Sequence, residues 1–157
     1  MKKIIYLVLL VLCFGLYARS QNPESGWFWS LEKNEFNLTK EGDSLKYEGM
    51  GWSETPSGKY AFKFSETSVS VYFNGFMGQS YTSAKEYSVT NRKMIGVEDD
   101  FTLYEYFAFF RNEKARFLIK VSNKEEYKSA YIFFYEDMDS DGRFKKRTIY
   151  SCVRQYK

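Results

Sequence analysis

Apolar and polar residues alternate along much of this chain with a period of two. Tyr60, Phe62 and Phe64 alternate with Ala61, Lys63 and Ser65, and Val69, Val71 and Phe73 with Ser68, Ser70 and Tyr72. Ala115, Phe117, Ile119 and Val121 alternate with Arg116, Leu118 and Lys120. On an extended backbone this spacing puts each set on one face, which predicts antiparallel strands with one buried side. Turn residues stand where the runs end. Pro56-Ser57-Gly58 precedes the Tyr60 run and Asn74-Gly75 follows the Val69 run. Arg111-Asn112-Glu113-Lys114 separates the apolar runs Phe101–Phe110 and Ala115–Val121 and predicts a hairpin connection. A second hairpin pairs Ala130–Glu136 with Phe144–Val153 across an Asp/Gly-rich turn. Further strands are predicted over Trp27–Leu31, Leu45–Trp52 and Tyr87–Val97, and a single helical turn fits the polar stretch Asn123–Ser129. The pattern predicts one all-β domain of about eight or nine antiparallel strands, and barrel and sandwich both stay open.

Composition strengthens that reading. The chain carries 3 Trp, 14 Tyr and 15 Phe, residues that suit a pleated, half-buried surface. The N-terminus changes the arithmetic of charge and location. Lys2-Lys3, an uncharged apolar stretch beginning at Ile4, and Ala18-Arg19-Ser20 before Gln21 form the pattern of a cleaved export signal. We therefore expect residues 1–20 to be a signal peptide and 21–157 a single β domain, exported to the periplasm or the extracellular space. The apolar stretch is shorter than the roughly 20 residues a bilayer span needs, so no membrane span is expected after cleavage. Lys2, Lys3 and Arg19 account for the whole formal charge of +3, which leaves residues 21–157 neutral. A neutral domain has no global attraction for nucleic acid.

Histidine is absent, which excludes Ser-His-Asp and Cys-His catalysis and His-ligated zinc or haem. Cleavage also leaves Cys152 as the one cysteine of the domain. It can form no internal disulfide and reads as a small buried hydrophobe within a strand.

The most specific local motif is Asp137-Met138-Asp139-Ser140-Asp141-Gly142. Carboxylates at alternate positions followed by Gly resemble the first half of an EF-hand calcium loop, which would place Asp137, Asp139, Asp141 and the carbonyl of Arg143 around calcium. Thr148 stands where that loop ends in a bidentate Glu, and Arg143, Lys145, Lys146 and Arg147 bring four positive charges beside it. A solvated hairpin turn with acids facing bases across strands is the competing reading.

Trp27, Trp29 and Trp52 are the candidate ligand-binding residues. Trp27 and Trp29 share one face if extended, and flat aromatic faces stack on sugar rings or apolar ligands. Packing within the core is the alternative. The lipocalin-type Gly-x-Trp signature is missing, since Gly26 and Gly51 directly precede Trp27 and Trp52. Glu48 and Glu54 flank Trp52, and Glu98-Asp99-Asp100 precedes a strand, but neither spacing marks the carboxylate pair of a glycoside hydrolase. The function expected from these residues is a non-catalytic module holding a glycan or hydrophobic small molecule on aromatic side chains. A protein-interaction or inhibitor role toward an envelope or extracellular protein is the first alternative, and a small carboxylate-dependent hydrolase the second.

Overall fold

In a computed structural model of the protein, the residues described are 26–41, 44–55, 59–75, 81–124 and 129–155. The expected export signal, the Pro56-Ser57-Gly58 turn and most of the predicted helical turn lie outside them. Nine antiparallel strands run through the described residues, with no helix among them. They are β1 (Gly26–Glu41), β2 (Ser44–Glu54), β3 (Ala61–Phe64), β4 (Ser68–Phe73), β5 (Ser83–Glu98), β6 (Phe101–Phe110), β7 (Glu113–Ser122), β8 (Ser129–Met138) and β9 (Phe144–Gln155). Strands β3 to β9 follow one another in space as in sequence, and β1 pairs with both β3 and β9. That pairing closes an eight-stranded barrel, with β2 as an extra strand outside the ring. The sequence left barrel and sandwich open, and the contact between the first and last strands decides for the barrel.

β1 changes partner part-way along its length. Gly26–Trp29 pairs with β3, and Glu32–Glu41 pairs with β2 on the same edge. A bulge lies at the junction, between Ser30 and Glu32. There the buried Ser30 hydroxyl accepts hydrogen bonds from the Tyr60 backbone N–H at 3.1 Å and the Thr55 hydroxyl at 3.4 Å. The side chain thus takes up the Tyr60 N–H, which the switch of partners would leave unpaired, and links it to Thr55.

The barrel interior is filled. An eight-stranded barrel is just wide enough for inward side chains to meet at its axis, and here large rings meet there. Phe117 and Phe134 stack at 4.6 Å and 5°. Phe64 and Tyr87 pack edge-on to Phe117 at 6.0 and 5.3 Å. All four are buried, as are Ile119, Ile132 and Cys152. Burial holds the Cys152 thiol well above its usual range, so it behaves as the hydrophobe its surroundings suggested.

The β1–β2 hairpin leans over the outside of the barrel. Bulges at Ser30/Glu32 and Asn34/Phe36 bend β1. Two contacts to β9 then hold the hairpin against the barrel, and one within it packs its strands together. The Tyr47 hydroxyl donates to the Phe144 carbonyl at 2.6 Å. The Arg147 guanidinium lies 4.3 Å from the Phe36 ring centre and 4.6 Å from that of Tyr47. The Phe36 ring lies across Gly49, its register partner, so closely that a Cβ there would stand 2.5 Å from it. Only glycine leaves room for the ring.

Candidate functional site

Trp27 and Trp29 occupy the outer face, as period-two alternation about buried Phe28 requires, and Trp52 lies on β2 outside the ring. Trp27 is enclosed in an aromatic cluster, 4.7 Å from Tyr72 and stacked at 6.5 Å on Tyr81, with the Lys63 ammonium 5.6 Å above it. Trp52 stands opposite Asn34 on β2 and is 52% exposed. Trp29 and Asn34 are five positions apart on β1, about 16 Å of strand. The structure thus brings Trp27 together with Tyr72 and Tyr81, and leaves Trp52 apart from it. Quenching by iodide should reflect this: Trp52→Phe is expected to remove most of the quenchable fluorescence, and Trp27→Phe little of it. Equal loss in the two variants would contradict the placement.

The acidic loop lies at one mouth of the barrel, as the β8–β9 turn. Asp139 Oδ1 accepts the backbone N–H groups of Asp141 and Arg143, both at 2.9 Å, and Asp141 lies 3.5 Å from the Arg143 guanidinium. The Arg143 carbonyl, the fourth ligand of the calcium reading, accepts the Asp139 N–H at 2.8 Å. Among the described residues no group of three Asp, Glu or Cys side chains is placed to hold a metal. These bonds are those of a self-closed hairpin turn. If the loop is only that turn, the melting temperature is the same in millimolar calcium and in EDTA. A rise in calcium of several degrees that Asp139→Asn abolishes would establish the metal site instead.

Asp137 and Asp139 also line a mouth cavity of about 500 Å³, together with Glu113, Glu136, Lys114 and Lys146. Glu136 lies on the inward-facing period of β8. Burial holds its carboxyl above the usual range, the Lys85 and Lys146 charges oppose this, and Glu113 and Asp137 add to it. Tyr87, at the cavity floor, is shifted up as well, by burial and then by Glu136 and Glu113.

A second cavity, of about 460 Å³, opens on the outer face under the β1–β2 hairpin. Its aromatic and aliphatic walls are Tyr47, Phe107, Phe144, Leu38 and Leu45. Its polar floor is Glu105, which alternation places on the outer face of β6 yet which is only 4% exposed. Arg116 clamps one carboxylate oxygen of Glu105 through Nε at 2.7 Å and Nη2 at 2.6 Å. Lys93 holds the other at 2.8 Å. Burial would raise this carboxyl, but the bonds and charges of Lys93 and Arg116 outweigh it and hold the group below its usual range. The Arg116 guanidinium lies 5.9 Å from the Phe107 ring centre and 5.1 Å from that of Tyr135, so rings fix its plane from β6 and β8.

The hydrolase pair does not assemble. Glu48 and Glu54 lie six positions apart on β2, about 20 Å of strand, where hydrolysis needs about 5 to 9.5 Å. Asp99-Asp100 forms the β5–β6 turn, and Glu98 pairs with Lys120. The basic run is split: Arg143 pairs weakly with Asp141, and Arg147 is sandwiched between rings.

The outer groove was not foreseen from the sequence. Its one sequence signal is Glu105, a lone carboxylate inside the apolar run Phe101–Phe110. Its partners Lys93 and Arg116 come from the neighbouring strands β5 and β7 and become neighbours only once the register is known. No protein family, curated protein or solved structure matches the chain.

Proposed function

We propose that the protein is an exported, non-catalytic binding module that holds a glycan against aromatic side chains. The observation that carries this reading is the outer groove, where Tyr47, Phe107 and Phe144 face an oriented guanidinium–carboxylate pair. Aromatic faces beside fixed planar donors and acceptors match a sugar, which has an apolar ring face and a polar edge. The contact between the Phe117 and Phe134 rings inside the barrel favours a ligand held on the outer surface over one enclosed within. On this reading the groove walls are the binding surface, with Trp52, also on β2 and half exposed, as a further aromatic face.

A panel of neutral and acidic oligosaccharides tests this. Phe107→Ala is expected to weaken binding of the best ligand about fivefold to tenfold while moving the melting temperature little. Failure of every oligosaccharide to bind would overturn the reading. A protein partner is the second reading. It is favoured by the outer edge of β2, which pairs with no strand among the described residues and displays Met50 at 75% exposure beside Trp52.

A further inference from the structure

The charge of the domain is neutral in sum and divided in space. Among the described residues lining the mouth cavity, Glu113, Glu136, Asp137 and Asp139 outnumber Lys114 and Lys146. Among those lining the outer groove the excess is reversed: Lys93, Arg116 and Arg143 stand against Glu105 alone. Glu105 takes up only one unit of that charge. Arg116 uses Nε and Nη2 on it, which leaves Nη1 outside the pair, and the Lys93 and Arg143 side chains are each 54% exposed. Arg143 meets Asp141 only at 3.5 Å, both of them well exposed, a pairing that solvent makes weak.

These cations are arranged around the aromatic walls rather than scattered. Arg143 directly precedes Phe144, Arg116 lies between the rings of Phe107 and Tyr135, and Lys93 reaches the Glu105 floor from β5. A ligand seated against Phe107 and Phe144 therefore meets a net positive potential along its polar edge. Guanidinium groups match planar carboxylates in geometry as well as charge.

We infer that the groove selects sugars bearing a carboxylate: its ligand is an acidic, uronic-acid-type oligosaccharide, and Lys93 and Arg143 set that preference. This rests on the glycan reading above and adds the charge of the sugar. The step from wall to ligand is electrostatic, so affinity falls as salt rises and the exposed cations are screened.

The test is calorimetric titration of the protein with a galacturonic-acid tetrasaccharide and with its fully methyl-esterified form, which keeps the sugar rings and removes the charge. The acid form is expected to bind about tenfold more tightly than the ester. Lys93→Gln and Arg143→Gln should each narrow that gap, lowering affinity for the acid form more than for the ester, and the double variant should close most of it. Both side chains are half exposed, so these variants are expected to fold, and a thermal melt confirms that they have. Equal affinity for acid and ester overturns the inference and leaves the glycan reading standing. The same holds if neither tetrasaccharide binds while neutral sugars of the panel do. If no oligosaccharide of either kind binds, both fall together.

Discussion

Phe117→Ala is expected to lower the melting temperature by about 10 to 20 °C, the largest effect of any single substitution considered. The ring lies at the centre of the barrel, stacked on Phe134 at 4.6 Å and met edge-on by Phe64 and Tyr87. Strands on every side fix the backbone, so the barrel cannot collapse into the space left behind. Removing a buried Phe costs about 3 to 5 kcal/mol through lost transfer energy and the residual cavity, and each kcal/mol moves a domain of this size by about 3 to 5 °C. Phe117→Leu keeps much of the volume and should lose less than half as much. Thermal melts of the two variants beside the unaltered protein measure this. A loss below about 1 kcal/mol for Phe117→Ala would show that the barrel axis is not packed as described.

Glu105→Gln is expected to have the second largest effect, and one that depends on pH. The substitution leaves Arg116 and Lys93 facing a neutral amide where both held a carboxylate. Hydrogen bonds to charged groups contribute about 1.5 to 3 kcal/mol. Arg116 and Lys93 are partly exposed and soften the loss, so about 2 kcal/mol, or roughly 6 to 10 °C, is expected at neutral pH. The sign of the pH dependence follows from the lowered folded-state pKa of Glu105. The stability it contributes is fully present above the ordinary carboxylate range and is lost as pH falls through the lower, folded value. The melting curves of protein and variant should therefore stand apart at neutral pH and converge in acid. Glu136 runs the other way. Its folded pKa is raised, so its charge costs stability at neutral pH and the cost disappears on protonation. Only the difference between protein and variant isolates Glu105, and a difference that stays constant down to strongly acid pH would contradict the pairing.

How much of this was legible in the sequence differs from element to element. β7 was plain: Ala115, Phe117, Ile119 and Val121 point inward as alternation required, because the other face of the strand carries Arg116 and Lys120. β6 was legible as a strand but not as to face, since Phe101, Phe107 and Phe109 make its outer side nearly as apolar as the inner. The reason lies in the leaning hairpin, which puts part of the outer face of β6 under cover. The second half of β1, Glu32–Glu41, reads as polar and went unpredicted. It is a strand because β2 and β9 pair with both its edges, a tertiary cause that no local pattern records. Barrel closure was illegible for the same reason, since it depends on the register of Trp27–Asn37 against Lys146–Gln155 at the far end of the domain. Of the candidate sites, the face shared by Trp27 and Trp29 was legible. The outer groove was not, because it draws on strands distant in sequence.

If the binding surface lies outside a filled barrel, its location can be read directly. The decisive measurement is side-chain and backbone NMR of the isotopically labelled protein, titrated with the tightest oligosaccharide of the panel. The largest shifts are expected at Tyr47, Phe107, Arg116 and Phe144, with the core resonances of Phe117 and Phe134 unmoved. Shifts confined to the Trp27–Tyr72–Tyr81 cluster, to the mouth around Glu136, or to the barrel core would contradict the account and place the site elsewhere.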